Sequence, residues 1–400
     1  GPPAGPSAPV TPTALPGTKF HPVVPYRVLD SRGATGGWNG AKLGASQSRE
    51  LVVRGAGGAN PVPADASAVV LNVTATDGTL PSFATVYPAG AVRPSPSNLN
   101  FGAGQTIPNL VTAKVGARDS VSVFNANGEA HFVADVVGYY DSGGADDGDL
   151  FRGLTPKRLL DSRGATGGFN GPVGAGDAGV KHLVVKGAGT TVPSTATAVV
   201  LNVTATQSSA NSFLRVWPKG APPPNSSNLN FGKGQTIPNL VVVQVGADDS
   251  VSVFNAVGAT HVVADVMGYF DPTPGGGYFH SMAPVRVLDD RVPIGLAGPW
   301  GPTPPQPARS LQVTGANGIP TDATAVVMNT TVTNPTAGSY LQVYPQGAAA
   351  PITTNLNFGP GQTIPNLVMT QLSDSGQVSI ANLLGSVDVI GDVSGYFAAS

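Results

Sequence analysis

The stretch Asn98-Leu-Asn-Phe-Gly-Ala-Gly-Gln-Thr-Ile-Pro-Asn-Leu110 decides how this chain is organised, because it occurs three times. The other copies occupy residues 228–240 and 355–367, and they differ from the first only at the residue between the two glycines. The sequence on either side also repeats, less strictly. The chain therefore consists of three copies of one unit, and both fold and function are best sought in that unit.

The repeat predicts three domains of about 120 residues, each large enough for a hydrophobic core of its own. Their predicted bounds are 20–141, 151–271 and 279–397. Short Gly-rich linkers separate them. Residues 1–19 are rich in Pro, Ala and Gly without an apolar period, which predicts an extended tether and suggests that another module lies upstream.

Composition favours β-structure. Charged residues make up 11% of the chain, and Glu occurs only at Glu50 and Glu129, so the residues that normally fill exposed helix faces are scarce. Val, Thr, Gly and Pro are abundant instead, as in short strands joined by turns. The sequence predicts an all-β protein of three tandem antiparallel β-sandwich or jelly-roll-like domains.

Charge and cysteine content exclude several classes of function. The net charge is -2 and there is no basic run, so a nucleic-acid partner is not expected. The absence of Cys excludes disulfides and Cys-ligated zinc. The apolar runs are strand-sized, so no membrane span is predicted.

Two segments carry the strongest strand signals. The run Ala68-Val-Val-Leu-Asn-Val-Thr-Ala75 is apolar on both faces, which predicts a central strand that is covered on both sides. The runs 121–124 and 131–139 are separated by Asn127-Gly128, which predicts a hairpin.

Several segments together resemble a repeated β-domain of secreted or cell-surface actinobacterial proteins. They are Val-Leu-Asn-Val-Thr-Ala, Tyr-Pro, Ser-Asn-Leu-Asn-Phe, Pro-Asn-Leu-Val and Ala-Asp-Val-Val-Gly-Tyr, in this order. The opening Leu-Asp-Ser-Arg at 29–32 is similar to that family's Leu-Asp-Thr-Arg. The resemblance covers nearly the whole chain, once per unit, and implies an extracellular or cell-surface domain without a catalytic assignment. The third unit departs from it, because Asp290 replaces the serine and the following loop is rebuilt.

A carboxylate inside an apolar strand needs a charged partner. Asp135 lies in such a run, and Arg27 and Arg32 near the start of the unit are its expected partners. We therefore predict structural ion pairs in each unit, while a role of the Arg-Asp-Arg set in binding a sugar or carboxylate stays open. The predicted set is Arg27, Asp30, Arg32 and Asp135; Arg158, Asp161, Arg163 and Asp265; Arg286, Asp289, Arg291 and Asp392.

Aromatic residues near loops are the candidate ligand contacts, since an exposed ring could stack on a sugar face. The alternative is that these rings cap the ends of the core. The candidates are Trp38, Phe169, Trp217, Tyr87, Tyr344 and Trp300.

Asn72 and the asparagines of the repeated stretch are a further candidate, because amides could hold a sugar or a calcium ion. The favoured alternative is that they satisfy backbone groups of neighbouring turns.

No nucleophile elbow, zinc-binding helix motif or phosphate loop is present, so we predict a protein that is not an enzyme and needs no cofactor. Calcium is the one ion kept open, with the acidic linker Asp146-Asp147-Gly-Asp149 as its densest carboxylate cluster.

The expected function is a binding or assembly module of the cell envelope, located outside the cell, with a surface glycan or surface protein as partner. One alternative is a carbohydrate-binding targeting module of a larger enzyme or toxin. Another is a structural stalk or assembly component in which the three units close into a pseudo-threefold body. Repetition on one chain would allow multivalent binding.

Overall fold

Each repeat of the computed structural model contains eight strands, and the structure describes residues 16–57, 61–142, 148–304 and 306–400. The first repeat comprises β1 Lys19–Asp30, β2 Gln47–Val52, β3 Ala66–Thr76, β4 Ser82–Pro88, β5 Leu99–Phe101, β6 Ile107–Lys114, β7 Ser120–Asn125 and β8 His131–Asp141. The second comprises β9 Leu150–Asp161, β10 Lys181–Val184, β11 Ala198–Thr206, β12 Ser212–Pro218, β13 Leu229–Phe231, β14 Ile237–Gln244, β15 Ser250–Asn255 and β16 His261–Asp271. The third comprises β17 Tyr278–Asp289, β18 Arg309–Gln312, β19 Ala325–Thr333, β20 Ser339–Pro345, β21 Leu356–Phe358, β22 Ile364–Gln371, β23 Gln377–Asn382 and β24 Asp388–Ala398. Short 3₁₀ turns lie at Thr35–Gly37, Ala117–Asp119, Asp177–Gly179 and Ala247–Asp249.

The strands form six small four-stranded antiparallel sheets, two in each repeat. In the first repeat the strand orders are β1-β8-β3-β6 and β2-β7-β4-β5, and the other repeats follow the same orders. Consecutive strands alternate between the two sheets, except for the paired neighbours β4 and β5 and their equivalents, so the sheets are not four-stranded meanders. The all-β class predicted from composition is confirmed.

The prediction of three tandem β-sandwich or jelly-roll-like domains is wrong. The six small sheets are organised in the manner of a six-bladed β-propeller. Strands of different repeats are in contact with one another. The physical reason lies in strands such as β3, which are buried along nearly their whole length. The sequence indicated that both faces of this strand are covered, and we expected a single domain to cover both. In the structure, the second face packs against the other repeats.

Alternation along β3 shows this double coverage directly. Val69, Leu71 and Val73 point into the apolar layer between the two sheets of the repeat. Ala68 and Val70 belong to a second apolar cluster, to which all three repeats contribute. Because the central cluster is shared, the three units form a common body.

The predicted hairpin around Asn127-Gly128 is also wrong. Gly128 has a φ of +57°, as a tight turn requires. However, β7 pairs with β2 and β4, whereas β8 pairs with β1 and β3, so the turn joins strands of two different sheets. The pattern identified the turn and the strands correctly but could not show which strands pair.

Two predictions fall partly on residues outside those described. Residues 1–15 of the predicted tether and Asp146-Asp147 of the acidic linker lie there. Thr18 lies inside the described part, and its backbone pairs with that of Phe279 in the third repeat. Asp149 is buried and accepts a hydrogen bond from the hydroxyl of Thr197.

Candidate functional site

The last asparagine of the repeated stretch links each repeat to another. Asn239 Nδ2 donates to Asn72 Oδ1 of the first repeat at 3.0 Å and to the Asn228 carbonyl of its own repeat at 2.6 Å. Its Oδ1 accepts the backbone N–H of Leu110 at 3.2 Å. The equivalent sets are Asn366 with Asn202, Asn355 and Leu240, and Asn109 with Asn329, Asn98 and Leu367.

These bonds run from repeat 2 to 1, from 3 to 2 and from 1 to 3, so they close a cycle. We call this network the asparagine ring. Its linking members are buried, and each side chain satisfies a backbone group of another repeat. A buried amide that is fully paired rigidifies the arrangement, whereas an unpaired one is costly. The strict repetition of the stretch therefore has a structural cause at the junctions between repeats.

A closed set of six aromatic rings forms part of the shared central cluster. Neighbouring rings from different repeats stack with centroids 4.1–4.3 Å apart, and those within a repeat lie 5.1–5.3 Å apart. In order around the set, the rings are Phe20, Tyr140, Phe279, Phe397, Phe151 and Phe270. The junctions are thus held by an apolar contact as well as by the asparagine ring.

The predicted Arg and Asp residues form a chain of ion pairs that runs from a buried aspartate to an exposed arginine in each repeat. Arg27 Nε lies 2.9 Å from Asp135 Oδ1, and Arg27 Nη1 lies 3.4 Å from Asp30 Oδ2. Arg32 contacts the same Asp30 carboxylate through Nε at 2.8 Å and Nη2 at 2.7 Å. The equivalent chains are Asp265–Arg158–Asp161–Arg163 and Asp392–Arg286–Asp289–Arg291.

The two carboxylates of a chain have opposite pKa shifts. Burial raises the pKa of Asp135 to about 6, against the lowering effect of its hydrogen bond with Arg27. The pKa of Asp30 is lowered, mainly by the hydrogen bond from Arg32. With two arginines and two aspartates, the chain carries no net charge when all four groups are ionised.

The six aromatic rings predicted to contact a ligand are all buried, with at most 7% of each residue exposed. Their polar atoms are also used: Trp38 Nε1 donates to the Glu50 carbonyl, Trp217 Nε1 to the Ala221 carbonyl, and Tyr87 Oη to Ser48 Oγ. Tyr344, Trp300 and Phe169 likewise belong to the buried residues. These rings close the ends of the core and offer no free face to a sugar.

A polar cleft of about 200 Å³ lies at the junction between repeats 2 and 3. The second repeat lines it with the arginines of its ion-pair chain and with three threonines, Thr204, Thr206 and Thr236. The third repeat contributes the half-buried ring of Tyr340 together with Ile352, Thr354 and Asn357. The cleft continues into a second depression, which shares Thr236 and Asn357 with it.

A matching cleft of about 230 Å³ lies at the junction between repeats 3 and 1. Each of its ten lining residues occupies the repeat position of a residue in the first cleft. The polar and aromatic members are Arg286, Arg291, Thr331, Thr333, Thr363, Phe83, Ser95, Ser97 and Asn100. The same surface is therefore built twice by different parts of the chain.

The third junction, between repeats 1 and 2, has a different side chain at its centre. The corresponding ring is Phe213, and the guanidinium carbon of Arg215 lies 5.7 Å from its centroid. Burial lowers the pKa of Arg215, and the positive charge of Arg27, which lines this junction, contributes to the lowering. The first and third repeats have Thr85 and Gln342 at this position. Arg215 also lies 4.9 Å from the Phe254 ring, so it places a positive charge beside the two rings of this junction.

One buried polar atom of the first cleft has no hydrogen-bond partner among the residues that the structure describes. The hydroxyl of Thr204 is buried and makes no hydrogen bond, although the neighbouring Thr206 and Thr236 hydroxyls bond to each other at 2.7 Å. An unpaired buried hydroxyl costs free energy unless a ligand or water pairs with it. A rotation of the Thr204 side chain that turns this hydroxyl toward the cleft would give it a bond to a polar group there.

Sequence reasoning missed the rings of Phe83, Phe213 and Tyr340. Each follows a serine at the start of a strand, and alternation places it opposite the buried Ala84, Leu214 or Leu341. That repeated pattern was a usable signal for an outward-facing ring. The rings close to Gly-rich loops attracted attention instead.

Neither family models nor curated proteins match this chain. Among solved structures, it is similar to a protein of an archaeal virus that was described for its triple jelly roll fold and turret assembly. That likeness has 9% identity and a TM-score of 0.18, and covers 93% of this chain and 96% of the other. A protein of Sulfolobus Turreted Icosahedral Virus is similar with 10% identity and a TM-score of 0.19, covering 94% and 97%. Such low scores carry no argument about function.

Two features are absent from the described residues. No helix there is long and apolar enough to cross a membrane. No group of three or more His, Asp or Glu side chains converges there in a way that could hold a metal ion.

Proposed function

We propose that this chain is a non-catalytic, extracellular or cell-surface protein that binds a neutral surface glycan through the clefts at its repeat junctions. The observation that carries the proposal is the pair of clefts with ten matching positions. Two separate stretches of chain build the same constellation of arginines, threonines, an amide and a ring. A surface that serves packing alone would not require an open cleft at both junctions.

The chemistry of the clefts fits a sugar better than an ion. The arginines are offset by aspartates, so the cleft offers hydrogen-bond donors without net charge. Threonine hydroxyls donate and accept, as sugar hydroxyl groups do. The half-buried ring of Tyr340 or Phe83 supplies the apolar face. A few polar groups around an apolar surface are typical of small-molecule sites.

The length of the groove favours an oligosaccharide. The cleft between repeats 2 and 3 continues into a depression of about 360 Å³ lined by Gln235, Ser339 and Gln362. Two such sites on one rigid body would bind a repetitive polymer with a higher avidity than either site alone. This supports the role of a binding module at a polysaccharide surface.

A pair of matched variants tests the proposal. Among the described residues, Thr204 and Thr112 both carry buried hydroxyls without a partner, and Thr204 lines the first cleft whereas Thr112 lines none of the clefts described above. On a glycan array that includes cell-wall polysaccharides, we expect the chain to bind. Thr204→Val should weaken binding at its site about 3–10-fold, the equivalent of one lost hydrogen bond, and Thr112→Val should leave it unchanged.

Two results would contradict the proposal. One is an array without binding to any neutral glycan. The other is equal binding by both variants when their folding is intact, as judged by circular dichroism. Neither substitution should destabilise the protein, because each removes an unpaired polar atom.

A further inference from the structure

The third repeat replaces a buried serine–histidine pair with two aspartates. In the first repeat Ser31 Oγ lies 2.9 Å from His131 Nδ1, and in the second Ser162 Oγ lies 3.0 Å from His261 Nδ1. Asp290 and Asp388 occupy the corresponding positions in the third repeat. A hydrogen-bonded serine–histidine pair thus becomes two carboxylates.

The Asp290 carboxylate is buried and has no hydrogen-bond partner among the described residues. The residue is 6% exposed, and neither side-chain oxygen makes a hydrogen bond. The Val389 N–H faces it, as the equivalent N–H groups face the serines, but it does not reach hydrogen-bond geometry. Asp388 is half-buried, and its Oδ2 accepts a hydrogen bond from Asn334 Nδ2 at 2.8 Å. Its other carboxylate oxygen, Oδ1, is left to contact a ligand.

Within the described part of the chain, no added positive charge offsets the two carboxylates. Asp289 next to them is held by Arg286 and Arg291, as in the other repeats. Arg309 is nearby but lies over the Trp300 ring, and Arg49 and Lys181 lie over the corresponding rings of the first two repeats. Relative to those repeats, the site therefore gains two negative charges.

We propose that Asp290 and Asp388 bind a divalent cation, of which calcium fits best. A buried carboxylate is costly without a charged partner, and a cation supplies one. Calcium prefers carboxylate oxygens and completes its shell with backbone carbonyls and water, so two carboxylates from the protein can hold it weakly. The rebuilt loop packs here: Gly298 N donates to the Asp290 carbonyl, and Trp300 pairs with Val387.

Calcium titration of the full chain tests this site independently of any glycan. By isothermal titration calorimetry we expect one calcium ion per chain, with a dissociation constant on the order of 10⁻⁴ to 10⁻³ M. Thermal unfolding should shift to higher temperature in calcium relative to EDTA, and magnesium should give a smaller shift.

The double variant Asp290→Ser/Asp388→His is the matched control, since it restores the pair found in the other two repeats. It should fold and lose both the calorimetric signal and the calcium-dependent shift. A wild-type chain that shows neither would overturn the proposal. A signal that survives in the double variant would also overturn it, because the ion would then bind elsewhere.

Discussion

Replacing Asn239 with alanine is expected to lower the free energy of unfolding by about 3–5 kcal/mol. The substitution leaves three groups without their bonds: the Leu110 N–H, the Asn228 carbonyl and the Asn72 side chain. All three residues are buried, and each unpaired buried group costs about 1–3 kcal/mol. Urea denaturation of the full chain, followed by circular dichroism, measures the change.

Asn230 in the same stretch is the control. Its side chain is half-buried and accepts a bond from Ser227 Oγ at 2.9 Å within its own repeat. Asn230→Ala should cost only about 1 kcal/mol. If the two variants were equally stable, the asparagine ring would not be the element that joins the repeats.

Truncating one ring of the central aromatic set should have an effect of similar size. Phe270 stacks on Phe20 at 4.2 Å and contacts Phe151 at 5.2 Å, so Phe270→Ala removes contacts within and between repeats. We expect a loss of about 3–5 kcal/mol, as for other buried phenylalanines. Because the set joins all three repeats, thermal unfolding should remain a single transition at a lower temperature.

Replacing Tyr140 with phenylalanine should have the opposite effect on stability. It is the one ring of the six with a hydroxyl, which is buried among apolar groups and makes no hydrogen bond, and burial raises its pKa well above the usual value. Tyr140→Phe matches the residue in the other repeats and should stabilise the protein by up to about 1 kcal/mol. A destabilisation would mean that the hydroxyl is paired and that the central packing is described incorrectly.

The sequence was sufficient for the local structure. The doubly apolar run 68–75 lies within a central strand, and Leu99 and Phe101 point into the core, as alternation predicts. Short-range patterns determine these features, because they depend on which face of a strand is apolar. The internal repeat also predicted that one architecture occurs three times.

Pairing between strands and between repeats could not be predicted in the same way. Asn109 bonds to Asn329, which is 220 positions away, and nothing in the local pattern of an Asn-Leu pair indicates this partner. The burial of β3 on both faces was assigned to a single sandwich, because a pattern of apolar residues does not state what covers them. The closed cycle of repeats became visible only in the structure.

In the candidate site, too, the local features could be predicted from the sequence and the contacts between repeats could not. The Arg-Asp-Arg set was identified from the cost of burying Asp135, and the structure places Arg27 on that carboxylate. The equivalent arginines of the other two repeats also line clefts. These clefts depend on the neighbouring repeat, because it supplies Tyr340 or Phe83. The aromatic candidates were selected because they are close to loops in the sequence. They lie in the core, because the rings that close the ends of the core are also next to loops.

The number of glycan sites per chain tests the central claim most directly. The claim is that ligands bind at the repeat junctions and that Arg215, which lies beside the Phe213 ring, prevents binding at the third. Titration calorimetry with a short glycan identified on the array should give two sites for the wild type. Arg215→Thr, which introduces the residue of the first repeat, should give three sites. An unchanged number of sites in this variant, or a single site in the wild type, would contradict the account.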